Sequence, residues 1–385
     1  MRSIRKMSTA ANTGNTPSSP IMKTVFGAER NIEDSNFPTE VEINQLESIL
    51  PIGCTHGWFL STYENKQLHY RKWIPTNPKA IVIFMHGIST HSVKYVTLPH
   101  AKDSDGNDAS KSISTKTPRL VSAALMVDAF LKNSISVYAF DLYGHGYSEG
   151  MRFFIPQSYN VNVQDYINFS HLVAAENKTT GNVPIFLMGE SYGSTITLHA
   201  AKYFQDQTEP EKMLPNLDSL ILTAPAIIGD LPIYPVLQVL LLLGKYYPTW
   251  RPFFMPNPVS PDRIWKDPLV RVCYLDKTKP ENRIDGAGIP FRLGTGVQLL
   301  HALEDVRKKV IPELKTPYIV IHGTQDHGVP ISGSEYLYTT SLTPSDQKEF
   351  IKKEGAYHDL LADPSAEESM DHIINWINKR IALLS

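Results

Sequence analysis

Val183-Pro184-Ile185-Phe186-Leu187-Met188-Gly189-Glu190-Ser191-Tyr192-Gly193 decides the fold, read together with Ser194 to Phe204 behind it. The first six residues are a short apolar run of strand character, and the residues after Gly193 read as a helix. Between them stands G-x-S-x-G. Strand, sharp turn and helix are the context in which such a serine becomes a nucleophile elbow. The turn strains the serine backbone and leaves no room for side chains at the flanking glycines. The hydroxyl then projects into open space, beside helix N–H groups that favour a developing oxyanion. The motif by itself is weak, because five-residue patterns recur by chance and a helix N-cap also accounts for Ser191.

The order of possible partners strengthens it. An acid and then a histidine must follow the serine, each past a strand end. Pro317 to His322 reads as a buried strand, and it runs through Gly323 into the turn that holds Asp326. Glu349 to Lys353 reads as a further strand, leading to Glu354-Gly355-Ala356-Tyr357-His358. Taken singly, Asp326 is an ordinary turn aspartate and His358 a solvated loop histidine. Three such residues after three strands, in the order Ser191, Asp326, His358, are not a coincidence of composition. Ala80 to Met85 forms another apolar strand, and His86-Gly87-Ile88-Ser89 follows it. The expected oxyanion donors are the backbone N–H groups of Ile88 and Tyr192.

From residue 80 strands and helices alternate, which predicts an α/β fold with a mostly parallel sheet covered on both faces. Strands are expected near 80–85, 135–140, 183–188, 219–223, 317–322 and 349–353. Helices are expected near 119–132, 161–175, 192–205, 297–309 and 366–384. Trp58 to Tyr63 and Gln67 to Trp73 suggest an N-terminal hairpin. The expected organisation is a flexible leader over 1–40, a core over 41–225, a mainly helical cap over 226–292 and the rest of the core over 293–385. Residues 99–117 are polar and without periodicity, and read as a long loop. His100 and Asp105 within it form an H-x4-D spacing read as chance.

In the expected cap, Val236 to Leu243 is apolar nearly all round, and aromatic residues including Tyr246, Tyr247 and Trp250 follow. Such a run is usually a buried helix. In a catalytic setting it reads instead as a lid that touches lipid or lines an acyl tunnel, with Leu237, Leu240 and Leu241 against the substrate.

A net charge of -2 and a pI near 6.7 exclude a nucleic-acid surface. Two cysteines, Cys54 and Cys273, are too few for a disulfide framework or a zinc site, and no metal or organic cofactor is expected. The apolar runs are too short to span a bilayer, and no secretory signal is evident. The leader has no Asp or Glu before Glu29, so organellar transit stays open beside a cytoplasmic location peripheral to membranes.

Asp141-Leu142-Tyr143-Gly144-His145-Gly146-Tyr147-Ser148-Glu149-Gly150, the Ser191 elbow, Gly296-Val297-Gln298-Leu299-Leu300 and Glu354 to His358 together resemble the monoacylglycerol lipase branch of the α/β-hydrolases. The resemblance covers roughly residues 56–384. It implies an α/β-hydrolase fold with a cap, a Ser191, Asp326 and His358 triad, and hydrolysis of a fatty-acyl ester of glycerol. His145 reads as structural. The chain departs from the branch at two head-group positions: Thr90 stands where animal members carry a glutamate, and Leu361 where they carry a second histidine. A lysophospholipase, another esterase, an aminopeptidase and a non-catalytic binding protein remain open on the same scaffold.

Overall fold

The computed structural model describes residues 37–48, 50–98, 119–229, 234–252 and 259–384. Most of the expected leader and the polar stretch 99–117, with His100 and Asp105, lie outside the described residues. The first described helix, α1, is Glu40–Ser48. Strands β1 (Thr55–Leu60), β2 (Gln67–Trp73) and β3 (Ala80–Met85) follow, then the short pair β4 (Tyr95–Leu98) and β5 (Arg119–Ser122). Next come α2 (Ala123–Lys132), β6 (Ile135–Phe140), α3 (Tyr159–Thr180), β7 (Ile185–Glu190), α4 (Tyr192–Asp206) and β8 (Leu217–Thr223). Four helices lead out of β8: α5 (Val236–Tyr246), α6 (Pro261–Ile264), α7 (Pro268–Leu275) and α8 (Pro280–Arg283). The chain returns through α9 (Leu293–Asp305), β9 (Tyr318–Gly323), α10 (Ser332–Thr340), β10 (Lys348–Lys353) and α11 (Ala366–Ala382).

Eight strands form one sheet in the order β1-β2-β6-β3-β7-β8-β9-β10. The pairs β1–β2 and β2–β6 are antiparallel, and the rest are parallel. Every residue of β3, β6, β7 and β9 is buried. Alternation sorts them to two layers. Ile81, Ile83 and Met85 of β3 pack in one, while Val82 and Phe84 pack in the other with α2 and α11. A strand buried on both faces reads as a continuous apolar run, which is why β3 and β6 fall where the sequence placed them.

The differences have local causes. The strand expected from Trp58 to Tyr63 ends at Leu60, because Ser61 and Thr62 turn to Asp165: Ser61 Oγ donates to it at 2.6 Å and the Thr62 N–H at 2.7 Å. The strand before Ser191 starts two residues later than expected. Pro184 has no N–H to give the ladder, and pairing extends instead to Glu190, opposite Thr223. Residues 119–122 are not the start of a helix but β5, paired with β4 across a long sequence gap. Helix α9 begins at Leu293, before Gly294 and Gly296. A Cβ at Gly294 would lie 2.8 Å from Pro248 Cβ, so glycine lets this helix pack closely. Helix α1 was not foreseen. It is short, and it contributes only Ile43 and Leu46 to the core.

Candidate active site

The elbow is built by main-chain bonds as much as by its glycines. Ser191 adopts φ 55 and ψ -121, a region that ordinary residues avoid. Its N–H donates to Thr223 O at 2.9 Å, and its C=O accepts from Ala226 N at 3.1 Å, so the end of β8 holds the strained residue from both sides. A Cβ on Gly189 would stand 2.5 Å from Gly193 O, and one on Gly193 would stand 2.2 Å from Met85 O. Only glycine fits either place.

Asp326 follows β9 and its side chain is fully buried. Oδ1 accepts from Gly328 N and Val329 N, each at 2.8 Å. Oδ2 accepts from His358 Nδ1 at 2.7 Å and from His322 Nε2 at 3.0 Å. Burial alone would raise this carboxyl, but His358 and His322 hold it well below the usual aspartate range. Burial drags the His358 imidazole down, yet the Asp326 carboxylate, helped by Glu190 and Asp359, raises it above the ordinary histidine value. The ring is thus held by one nitrogen, with Nε2 free of the acid. His358 and Ser191 line the same hollow. His322 was missed as a site residue, although its place at the end of β9 was legible. Its Nε2 faces two acceptors, Asp326 Oδ2 and Val329 O, and so carries the proton, which leaves Nδ1 to accept from Ser334 Oγ at 2.7 Å.

Ile88 flanks Ser191, and two buried histidines fix its loop. His86 Nδ1 donates to Gly87 O at 2.7 Å, and its Nε2 accepts from Leu142 N at 3.1 Å. His145 Nδ1 donates to Tyr143 O, and its Nε2 accepts from Ser89 N at 3.2 Å. Both rings must be neutral to accept, and burial lowers both, His86 to about 4. Among the described residues the main-chain N–H groups of Ile88 and Tyr192 have no main-chain acceptor. The Tyr192 side chain turns inward, where its hydroxyl accepts from Asn162 Nδ2.

Two unlike hollows meet at Ile88, Ser191 and Val259. One is apolar and about 390 Å³, with Leu237, Leu240 and Leu241 on one wall and Phe291 and Leu299 among the others. Those three leucines stand at i, i+3 and i+4 of α5 and so share a face. The other hollow is about 40 Å³ and mixed: Thr90, Lys94, Glu190 and Asp285 line it beside Ile264 and Trp265. Lys94 Nζ enters it between Asp359 Oδ2 (2.7 Å) and Glu190 Oε1 (3.5 Å). Opposite, Asp285 Oδ2 accepts from Thr90 Oγ1 at 2.9 Å, and its Oδ1 accepts from Ala287 N at 2.7 Å. The carboxylate absent at Thr90 is therefore present beside it, delivered from another part of the chain. Burial raises both Glu190 and Asp285 from the usual carboxylate range. Leu361 is buried in the core, where its C=O accepts from Ser122 N, and it does not line the hollow.

A mostly parallel sheet with helices on both faces and a strained serine elbow at a strand end defines an α/β-hydrolase. The chain belongs to the family whose model is described as serine aminopeptidase, S33, matched over residues 121–365, and within the superfamily it is monoacylglycerol lipase-like. It is 28% identical to the monoglyceride lipase of Rattus norvegicus over 326 residues, 83% of this chain and 89% of the relative. It is 23% identical to the monoacylglycerol lipase of Mycolicibacterium smegmatis over 311 residues, 80% and 91% of the two chains. A soluble variant of the Saccharomyces cerevisiae monoglyceride lipase, solved with a substrate analogue, superposes with a TM-score of 0.63 at 18% identity, covering 89% of this chain and 98% of that one. At that identity the likeness is one of fold.

Proposed function

We propose that the chain hydrolyses carboxylic esters of long acyl chains, with monoacylglycerols as the substrate class, through an acyl-enzyme on Ser191. The observation that carries this reading is the placement of Ser191 where a large apolar cavity meets a small hollow bearing Thr90, Lys94, Glu190 and Asp285, with His358 of the Asp326–His358 pair lining the smaller one. His358 Nε2 takes the Ser191 proton as Oγ attacks the ester carbonyl. Asp326 keeps the other imidazole proton on Nδ1 and stabilises the imidazolium. The N–H groups of Ile88 and Tyr192 bind the tetrahedral oxyanion. His358 then protonates the leaving alcohol and later activates the water that frees the acid.

The segment between β8 and α9 serves as a cap, and its α5 leucines hold the acyl chain. Each buried methylene contributes about 0.8 kcal/mol, so chain length governs efficiency. The smaller hollow takes the alcohol. Glu190 and Asp285 face it, and Asp359 already answers the Lys94 charge, which favours a neutral polyol over a phosphate. The outer side of α5 exposes Val239 (52%), Leu242 (58%) and Tyr246 (65%), with Tyr247 beside them. Such a patch suits docking on a lipid surface. Among the described residues no helix is long and apolar enough to cross a membrane.

The test is turnover of 1- and 2-monoacylglycerols of graded chain length, beside short p-nitrophenyl esters and lysophospholipids, by wild type and Ser191→Ala. Long-chain monoacylglycerol turnover that Ser191→Ala abolishes supports the reading. Preference for short or phosphate-bearing esters refutes the substrate class. No turnover, with no fluorophosphonate labelling of Ser191, refutes the chemistry and leaves a binding protein.

A further inference from the structure

Away from Ser191, Glu47, Cys54 and His56 bring a carboxylate oxygen, a thiol sulfur and an imidazole nitrogen within 4.8 Å of one another. Glu47 sits in the last turn of α1, Cys54 just before β1, and His56 within it. His56 Nε2 lies 3.6 Å from Cys54 Sγ and 3.5 Å from Glu47 Oε2. A tetrahedral zinc with sulfur at about 2.3 Å and nitrogen and oxygen at about 2.0–2.1 Å spaces its ligands about 3.3–3.6 Å apart.

The hydrogen-bond chain behind the cluster fixes which atoms face inward. Asp141 is a carboxylate and only accepts, so His69 holds its proton on Nδ1, 3.0 Å away. His69 Nε2 is then an acceptor, and His56 Nδ1 donates to it at 2.9 Å. A neutral His56 therefore turns the bare lone pair of Nε2 toward Glu47 Oε2. That oxygen is itself a lone-pair atom, is buried, and has no hydrogen-bond partner; the Glu47 side chain is 5% exposed. The Cys54 thiol has one proton, which satisfies one of the two acceptors and leaves the other facing it at a cost.

Charge points the same way. With a neutral thiol and neutral imidazoles, the buried set is Arg71 (+1), Glu47 (-1) and Asp141 (-1), a surplus of one negative charge. A divalent cation that displaces the Cys54 proton to solvent brings the set to neutrality. Mixed sulfur, nitrogen and oxygen donors at this spacing suit zinc and not the oxygen-seeking magnesium or calcium. The His69–Asp141 pair stands behind the imidazole as the orienting partner that such ligands use.

We infer that Glu47, Cys54 and His56 form a zinc site that clamps α1 to the edge strand β1, with solvent as the fourth ligand. The sequence shows no HExxH or other contiguous metal motif and only two cysteines, so no metal was expected; one cysteine with a histidine and a glutamate from a neighbouring helix escapes both signals.

The full, untagged chain, stripped with a chelator and checked by its cooperative melting, is titrated with Zn²⁺ alone and with Co²⁺ alone. One metal per chain is expected, with a thiolate-to-cobalt charge-transfer band and a melting temperature that rises with zinc. Cys54→Ser loses the band while Cys273→Ser keeps it. Glu47→Gln, which preserves shape, weakens zinc at least about tenfold. A folded wild type that takes up no cobalt, or a band that survives Cys54→Ser, overturns the site and leaves a proton on His56 as the partner of Glu47. Should Cys54→Ser fail to fold, the wild-type cobalt spectrum and Glu47→Gln decide alone.

Discussion

Asp326→Asn is the sharpest probe of the proposed triad, because an amide cannot satisfy what surrounds this carboxylate. On one side Gly328 N–H and Val329 N–H point at Oδ1, each at 2.8 Å. On the other, His358 and His322 point at Oδ2. Whichever way the amide turns, its NH₂ meets donors. The two main-chain N–H groups cannot change protonation and His358 can. The amide oxygen therefore faces the main chain and its NH₂ faces the imidazole, which must move its proton to Nε2 to accept. That nitrogen then offers Ser191 a proton where a base is needed. The lost ion pair adds to this: unit charges about 4 Å apart at an effective dielectric near 20 are worth roughly 4 kcal/mol. With the tautomer penalty the total is about 5 kcal/mol, or ~10⁴-fold in kcat, the size seen when a protease triad is changed in the same way. The assay is ester turnover across pH, with far-ultraviolet dichroism to confirm the fold. Wild type should lose activity on the acid side with an apparent pKa above the ordinary histidine value of 6.5. A folded variant within about tenfold of wild type, with an unchanged acid limb, refutes the role given to Asp326.

Four further outcomes are expected. Leu241→Trp fills the apolar cavity, so the preferred acyl chain shortens and long chains lose at least about tenfold in kcat/KM in a chain-length series, since each excluded methylene removes about 0.8 kcal/mol. Asp285→Ala lowers kcat/KM for monoacylglycerol by about 10-fold or more, a hydrogen bond to a charged group being worth roughly 1.5–3 kcal/mol, while the matched methyl ester is nearly unaffected; equal losses on both would make Asp285 merely structural. Stability should fall on acidification: burial lowers His86 to about 4 and His91 to about 3, with His145 also lowered, so below pH 6.5 the unfolded chain binds protons that the native one refuses. Each contributes on the order of 1.4 kcal/mol per pH unit there, partly offset by His358, whose raised value favours the native state in acid and loses that effect as pH rises through it; urea midpoints at pH 7 and 5 check the sign. Val239→Asp with Leu242→Asp should cut co-sedimentation with phospholipid vesicles while leaving turnover of a dispersed short ester intact.

What the sequence made legible was what local pattern encodes. β3 and β6 are apolar because both faces are covered, and the elbow is visible because steric demands admit glycine alone at Gly189 and Gly193. The order of Ser191, Asp326 and His358 was readable since each follows a strand end. Contacts between distant segments were not. Pairing of β4 with β5 depends on partners on either side of a long polar stretch. His322 gains its meaning only once Asp326 folds back against it. Thr90 read as a lost carboxylate because Asp285 reaches it from 195 positions away. Helix α1 has too few apolar positions to announce itself, and with it went the geometry around Cys54 and His56.

The meeting of two hollows at Ser191 also sets an order of traffic. On the proposed function, with the acyl group in the apolar cavity, the space that the alcohol vacates is the direct route for water to the ester carbon. That space, about 40 Å³, admits only a few waters at once. An alcohol slow to depart therefore blocks its own replacement and is the first nucleophile at hand to take the acyl group back. Hydrolysis and acyl transfer would then compete for the same space, and Asp285 and Thr90, the residues proposed to hold the alcohol, would act as much on the fate of the acyl group as on the choice of substrate.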